Sequence, residues 1–173
     1  MATLVIFRDL QDYDVFILAV VRLGLAGLLG AILGYERQIE GKSAGMRTHM
    51  LVALGAALFA FAPLHGDIQS PELARVIQGI AAGIGFLGAG TILKAENPLK
   101  VQGLTTAASI WLTAAVGLTI GAGFLWPALL AVAFGWIILE VVGRLEYRFR
   151  KLFGHLPRDE QGQLPVRQPE QRP

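Results

Sequence analysis

Residues 35–49 read Tyr-Glu-Arg-Gln-Ile-Glu-Gly-Lys-Ser-Ala-Gly-Met-Arg-Thr-His, a charged stretch between two long apolar runs. Val15–Gly34 precedes it and Met50–Leu64 follows it. An apolar run of roughly 20 residues crosses the ~30 Å hydrocarbon core of a bilayer as a helix. The stretch is therefore predicted to be a short polar connection between two membrane spans.

Five apolar runs follow one another along the 173 residues. The chain is 54% hydrophobic and 16% charged, with a mean hydropathy of +0.54. Lipid requires each segment to satisfy its own backbone polar groups, and continuous apolar runs are unlike the alternating strands of a membrane barrel. The prediction is an all-α polytopic membrane protein, a bundle of five transmembrane helices. The spans are Val15–Gly34, His49–Leu64, Leu73–Leu93, Leu104–Ile120 and Phe124–Val142.

The basic residues predict the orientation. All of the 15 lysines and arginines except Arg8, Arg22 and Arg75 fall on the side that carries the charged stretch and the tail. Because basic residues accumulate on the cytoplasmic side, the N-terminus is expected outside and the C-terminus in the cytoplasm. We expect an extracytoplasmic N-terminus (1–14), a five-span membrane domain (15–143), a basic juxtamembrane helix extension (144–156) and a disordered tail (157–173).

Several classes of chemistry find no support in the sequence. The chain has no cysteine, so disulfides and thiolate metal sites are excluded. No aspartate or glutamate lies deep in a predicted span, whereas magnesium is held through carboxylates and waters. Phosphate-loop, zinc-protease and nucleophile-elbow motifs are missing. The sequence predicts a protein that is not an enzyme, with no cofactor, no metal site and no nucleic-acid partner.

Charged side chains within spans are functional candidates, because burial at the bilayer centre costs on the order of 2.5–3.5 kcal/mol or more. Arg22 lies in span one, and Arg75 lies in span three with Gln78 about one turn further on. Two interpretations stay open for the arginines. They extend outward to the membrane surface near acidic residues, or they form buried pairs that serve structure or function.

A second group of candidates flanks the charged stretch at the cytoplasmic face. Two interpretations stay open here too: a salt-bridge cluster that sets helix ends, and a site for a ligand, a lipid headgroup or a partner. Hydroxyls of spans three and four are further candidates for a small polar pathway, although such hydroxyls usually bond to their own helix backbone. They are Thr91, Thr105, Thr106, Ser109, Thr113 and Thr119. The candidates are Glu36, Arg37, Arg47, His49, Thr105 and Thr106.

Glycine is the third organising feature, with 21 copies. Small residues four positions apart let membrane helices approach closely, either within one bundle or between copies of the chain. A repeat is also visible, because Gly45-Met-Arg-Thr and Gly103-Leu-Thr-Thr begin similar segments; it predicts two parallel-related hairpins unless the similarity is convergent. The expected packing glycines are Gly30, Gly34, Gly79, Gly83, Gly85, Gly88, Gly90, Gly117 and Gly121.

Three segments together resemble the MgtC/SapB family of bacterial inner-membrane proteins. They are residues 34–52 (Gly-Tyr-Glu-Arg-Gln-Ile-Glu-Gly-Lys-Ser-Ala-Gly-Met-Arg-Thr-His-Met-Leu-Val), 83–92 (Gly-Ile-Gly-Phe-Leu-Gly-Ala-Gly-Thr-Ile) and 101–111 (Val-Gln-Gly-Leu-Thr-Thr-Ala-Ala-Ser-Ile-Trp). The resemblance covers about residues 15–142. It implies a five-span bundle in the inner membrane, a role in adaptation to low magnesium or intracellular survival, and, for some members, regulation of a membrane ATPase. Members of the virulence type carry a folded cytoplasmic domain after the last span, and we expect this chain to be the short form without it.

The sequence therefore leaves two alternative functions open. One is a regulator of magnesium-linked ion homeostasis that acts on a membrane ATPase or another membrane complex through helix contacts. The other is a small transporter or channel for an ion or small solute, formed as a homo-oligomer. The lipid bilayer is the common partner of both.

Overall fold

The computed structural model describes residues 13–65, 70–94, 101–145 and 148. Five helices and one short β-hairpin make up this part of the chain. The expectations for residues 1–12, for the tail 157–173 and for most of 146–156 lie outside it. The elements are α1 (Tyr13–Ile39), α2 (Met46–His65), α3 (Ser70–Gly90), β1 (Leu93–Lys94), β2 (Val101–Gln102), α4 (Leu104–Gly121), α5 (Leu125–Ile137) and a π-helical turn (Ile138–Val142).

The helices are long and apolar, which confirms the expected all-α polytopic membrane fold. Four of them are long enough to cross a bilayer, namely Tyr13–Ile39, Leu73–Gly90, Leu104–Gly121 and the continuous stretch Leu125–Leu145. The apolar part of α2, Met46–Ala62, is shorter. Lipid favours this form because a helix satisfies its backbone groups internally.

The charged stretch that the sequence predicts to be a connection is mostly helical. α1 continues through Tyr35 to Ile39, and α2 begins at Met46. Only residues 40–45 connect the two helices. The reason is that Glu36 and Arg37 are buried against neighbouring helices, so the last turn of α1 is held in helical form.

The core lies where α2 passes between α1 and α4. Small residues of α2, Ala53 and Ala57, are fully buried there. Alanine keeps the backbones close, and branched side chains of α1, α4 and α5 fill the remaining space. The other members of this core are Ala26, Leu29, Leu33, Val116, Ile120, Ala128 and Val132.

The connection from α3 to α4 contains an element that the sequence pattern did not predict. β1 pairs antiparallel with β2, with Leu93 opposite Gln102 and Lys94 opposite Val101. The predicted span three (Leu73–Leu93) therefore ends early, at Gly90. Gly103 follows β2 with φ 92°, a left-handed conformation that favours glycine, and turns the chain into α4.

The chain divides into two units, Met1–Trp136 and Ile137–Pro173. The first contains α1 to α4, the hairpin and nearly all of α5. Within the second, the π-helical turn Ile138–Val142 places Glu140 in an ion pair with Arg144, one turn further on.

Candidate functional site

A polar cluster is buried among α1, α2 and α4. We call Glu36, Arg37, His49, Thr106 and Ser109 the polar cluster; their exposed fractions are 7%, 4%, 0%, 4% and 5%. Polar groups buried in an apolar bundle cost free energy unless they are hydrogen-bonded. The hydrogen bonds of each member therefore decide what the cluster can do.

Arg37 joins α1 to α4. Its Nη2 donates to the Thr106 Oγ1 at 3.2 Å, and its Nη1 lies 3.4 Å from the Glu40 Oε2. Lys42 approaches the same Glu40 oxygen at 3.6 Å. Because Arg37 is in the last turn of α1, its positive charge also interacts favourably with the carbonyl end of that helix.

His49 joins α2 to α4. Its Nδ1 lies 2.9 Å from the carbonyl oxygen of Gly45, and its Nε2 lies 3.2 Å from the Ser109 Oγ. Ser109 in turn donates to the carbonyl oxygen of Thr106 at 2.8 Å. The imidazole is therefore bonded through both nitrogens within a fully buried position.

Ser109 and the neighbouring Thr113 also belong to this region; the sequence analysis names them only among the hydroxyls of a polar pathway and not as contacts of His49. The Thr113 Oγ1 donates to the Ser109 carbonyl at 2.8 Å, so both hydroxyls bond to their own helix backbone, as expected for hydroxyls in membrane helices. A signal was present in the sequence, because Thr106, Ser109 and Thr113 are spaced three and four apart and lie on one face of α4.

Glu36 differs from the rest of the cluster. Neither oxygen of its carboxylate has a hydrogen-bond partner within the described part of the chain, and the same is true of the Arg37 Nε. The structure therefore contains a buried acceptor and a buried donor whose bonding capacity is unused. Glu40 lies one turn further along the chain, just after the end of α1, so Glu36 and Glu40 place two carboxylates at this end of the helix.

Arg22 lies outside the polar cluster, and its guanidinium already has partners within the protein. Its Nη1 donates to the carbonyl oxygen of Gly121 at 2.9 Å, and its guanidinium lies 5.7 Å from the centre of the Phe61 ring. Of the two interpretations left open for Arg22, the structure therefore agrees with a structural contact inside the protein, and the partner is a backbone carbonyl instead of an acidic side chain. The C-terminal end of α4 offers free carbonyls and a partial negative charge, which attract the guanidinium of Arg22.

The remaining polar candidates are exposed at the surface of the described bundle. Gln78 lies on α3, and Thr105 lies one residue before the buried Thr106. The structure does not bring these side chains into the polar cluster. The exposed candidates are Arg47, Arg75, Gln78 and Thr105.

The glycines divide into two groups. A Cβ placed on Gly30 would lie 2.6 Å from the His49 carbonyl oxygen, and one on Gly34 would lie 2.6 Å from the Met46 Cα. Cβ atoms on Gly117 and Gly121 would collide with the carbonyl oxygens of Ala53 and Ala57. These four glycines let α1 and α4 approach α2 from two sides.

The glycines of α3 behave differently. A Cβ on Gly88 would make ordinary contact with Ala107, at 3.5 Å. Within the described part of the chain, no atom lies within 4 Å of a Cβ placed on the other four. Those are Gly79, Gly83, Gly85 and Gly90. Their predicted packing role stays a prediction.

An apolar groove of about 600 Å³ lies between α2 and α3. Glycines contribute to both walls, Gly55 on one side and Gly79 and Gly83 on the other. The remaining lining residues are apolar, so the groove suits apolar chains rather than ions. Those residues are Leu51, Val52, Ala56, Phe59, Val76, Ile80, Ile84 and Leu87.

A metal centre finds no support in the described residues. No group of three or more histidine, cysteine, aspartate or glutamate side chains is close enough to hold an ion there. The arrangement instead joins three helices through buried hydrogen bonds. It leaves one carboxylate unsatisfied.

Comparisons with known proteins agree with the sequence resemblance. The family model described as the MgtC family matches residues 23–148. The protein SrpB of Synechococcus elongatus is 46% identical over 136 residues, which cover 72% of this chain and 75% of SrpB. YhiD of Escherichia coli (strain K12), described as a candidate magnesium transporter, is 37% identical over 144 residues, which cover 79% of this chain and 66% of YhiD.

The protein MgtC of Brucella abortus (strain 2308) is 49% identical over 113 residues, which cover 64% of this chain and 46% of that protein. The chain thus spans just under two thirds of the length of YhiD and less than half of the length of that MgtC. No solved structure matches it.

Proposed function

This chain belongs to the MgtC family, and we propose that it is a multi-pass protein of the bacterial inner (plasma) membrane that serves magnesium-linked ion homeostasis by contacting a larger membrane complex through its helices. The description of YhiD as a candidate magnesium transporter supports the link to magnesium. The proposal includes no enzymatic activity. It places the N-terminus outside and the charged connection 40–45 in the cytoplasm, following the distribution of basic residues.

The observation that carries this proposal is the groove between α2 and α3. The glycine pairs of α1 and α4 are occupied by α2, whereas Gly79 and Gly83 of α3 face open space. Both glycines line the groove. Small residues four positions apart are the usual contact surface between membrane helices, because they let two backbones approach closely.

The groove is proposed to bind an apolar transmembrane helix of the partner complex. The named side chains that line the groove carry no charge, so they match an apolar helix and not a polar segment. A membrane ATPase is the partner class that the family resemblance implies. Regulation of an ATPase through a helix–helix contact in the bilayer does not require this chain to conduct a substrate.

The test introduces a large side chain into the groove and leaves the buried core unchanged. Gly83→Leu places a large side chain in the groove, while the matched control Gly24→Leu adds the same side chain at an exposed position of α1 where no neighbour lies within 4 Å. Each variant replaces the chromosomal copy, and growth at low magnesium and co-purification with the ATP synthase and cation-transport ATPases are measured. We expect Gly83→Leu to lose both and Gly24→Leu to keep both.

Retention of growth and co-purification by Gly83→Leu, at the same protein level as the control, would reject the groove as the contact surface. Loss in both variants would point to a general effect of added bulk and would also reject it. Protein levels in the membrane fraction separate these outcomes from failure to fold.

A second function, transport, is favoured by one observation. Glu36 is a buried carboxylate with unused acceptors, and a transported cation is one group that such a carboxylate binds. Magnesium uptake into liposomes containing the purified chain tests this reading. Uptake that disappears in Glu36→Gln but persists in Glu40→Gln supports transport, and the absence of uptake by the unmodified chain rejects it.

A further inference from the structure

The turn between α4 and α5 lies well inside the level that the apolar run of α1 reaches. Arg22 is seven positions inside the run Val15–Gly34, which is about 10 Å along an α-helix. Its hydrogen bond to the Gly121 carbonyl places the C-terminal end of α4 at the same level. A Cβ on Gly123 would lie 2.8 Å from the Arg22 Nη2, so the turn into α5 lies there as well.

A second contact fixes the relative position of α1 and α4. Arg37 donates to the Thr106 hydroxyl near the start of α4. Arg22 and Arg37 are 15 positions apart, as are Thr106 and Gly121, so the two helices are joined at levels about 22 Å apart. The hydrocarbon core of a bilayer is about 30 Å thick, and tilting the helices would shorten the 22 Å further.

The two arginine contacts therefore cannot both lie at the edges of an undisturbed bilayer. Arg37 is followed within five positions by the exposed, charged Glu40 and Lys42, so its end of α1 lies at a membrane surface. The difference in thickness then falls at the other end, where Arg22 and the turn between α4 and α5 lie at the depth of the hydrocarbon.

This turn is polar in its backbone and is not covered by the protein. Helix ends carry N–H and C=O groups that have no partner within their own helix. Phe124 and Trp126 are 63% and 75% exposed. Non-helical backbone is tolerated at membrane depth only where it is buried in protein or faces water. The turn is not buried in protein, so water must reach it.

We propose that the leaflet on the Arg22 side is thinned beside the α4–α5 turn, so that water and phospholipid headgroups enter a recess and reach Arg22. The recess is about 10 Å deep, the distance from the level of Val15 to that of Arg22. A guanidinium has five N–H donors, and the bond to Gly121 uses one, so headgroup phosphates find further donors there. Local thinning also lowers the cost of placing an arginine at this depth.

The recess is confined to one side of α1. Val20 is exposed and lies two positions from Arg22, which is about 200° around the helix, so it faces away from the turn. We expect Val20 to contact undisturbed lipid, although it lies slightly nearer to the membrane surface than Arg22 does. The inference is independent of any partner of the α2–α3 groove.

The experiment compares the surroundings of these two positions. The chain has no cysteine, so a single introduced cysteine carries a nitroxide spin label at one known site. Phe124→Cys places the label at the turn, and Val20→Cys places it on the opposite face of α1; both positions are exposed. The full chain is placed in nanodiscs of dioleoyl phosphatidylcholine, and collisions of each label with oxygen and with a water-soluble nickel complex are measured.

We expect the Phe124 label to collide with the nickel complex several-fold more often than the Val20 label, and the Val20 label to collide more often with oxygen. A label at the exposed Leu28, in the middle of the apolar run of α1, gives the reference value for the hydrocarbon. In dimyristoleoyl phosphatidylcholine, whose shorter chains make a thinner bilayer, the difference between Phe124 and Val20 should shrink.

Three results would overturn the inference. Protection of both labels from the nickel complex would place the turn in hydrocarbon with no recess. Equal access of the complex to both labels would show that the leaflet is not thinned on one side of α1. A difference that does not change with lipid chain length would indicate a cavity fixed within the protein. Trp126→Cys repeats the measurement at the turn if Phe124→Cys does not fold.

Discussion

Arg22 of α1 donates a hydrogen bond from Nη1 to the carbonyl oxygen of Gly121 at 2.9 Å, so a cation of the first helix closes the C-terminal end of the fourth. The two residues are 99 positions apart in the chain. The contact satisfies a carbonyl that has no partner within its own helix and places positive charge at the negative end of the helix dipole.

Replacing Arg22 should therefore lower stability. We expect Arg22→Ala to reduce the free energy of unfolding by about 1.5–3 kcal/mol, the range for a hydrogen bond to a charged group. Arg22→Lys should lose less, because the charge remains. Unfolding midpoints in detergent micelles measure both, with the exposed Arg75→Ala as the control; equal midpoints for Arg22→Ala and Arg75→Ala would contradict the capping role.

The contact between α4 and α2 predicts a strong dependence on glycine. Gly117→Ala places a methyl group against the Ala53 carbonyl, so the helices must separate, and we expect a loss of about 1–3 kcal/mol. Gly24→Ala is the control in α1, where nothing lies within 4 Å, and should gain roughly 0.5–1 kcal/mol because alanine favours helix. Opposite signs in the same unfolding measurement are the expected result; a stable Gly117→Ala would show that the helices are not so close.

Thr105 and Thr106 are adjacent, but their surroundings differ. Thr106→Val removes the acceptor of the buried Arg37 guanidinium, and we expect it to cost about 1–3 kcal/mol of unfolding free energy. Thr105→Val changes an exposed side chain and should stay within about 0.5 kcal/mol of the parent. Similar values for the two variants would mean that Arg37 does not depend on Thr106.

For Glu36 we expect a substitution to raise the free energy of unfolding instead of lowering it. Its buried carboxylate lacks hydrogen-bond partners among the described residues, so Glu36→Gln, which removes the charge, should raise the free energy of unfolding by about 1 kcal/mol. Glu40→Gln weakens the ion pairs that the half-exposed Glu40 carboxylate makes with the buried Arg37 and the half-exposed Lys42, and it should lower the free energy of unfolding by less than about 1 kcal/mol. A loss of stability in Glu36→Gln would show that the carboxylate is already satisfied.

The stability gain expected for Glu36→Gln also bears on function. Residues that cost stability are retained where function requires them. Growth at low magnesium measured beside unfolding therefore shows whether Glu36 belongs to the working site. Unchanged growth in a more stable Glu36→Gln protein would remove Glu36 from the functional candidates.

The membrane fold was predictable because it depends on composition over long segments. Runs of apolar residues of the right length require helices in lipid, whatever their neighbours are. The ends of the helices were less predictable. The charges of Glu36 and Arg37 indicate a connection, yet these residues continue α1, because Arg37 finds its partner on α4.

The candidate site was partly visible for the same reason. Glu36, Arg37, His49 and Thr106 stand out as polar residues next to apolar spans, whereas Ser109 is one hydroxyl among several in α4. Its spacing from Thr106 and Thr113 places it on one face of α4, but its contact with His49 joins residues 60 positions apart, and no local pattern identifies that partner.

The number of helices, their apolar character and the short list of polar residues that a bilayer must accommodate are predictable from the chain alone, because they follow from the transfer of side chains into lipid. Which of those polar residues meet depends on how the helices pack. Arg22 caps α4, Arg37 and His49 bind α4 from two different helices, and Gly79 and Gly83 are left facing an open groove. These outcomes depend on how closely the helix backbones approach one another, and that distance is fixed by glycine and alanine contacts between segments far apart in the chain.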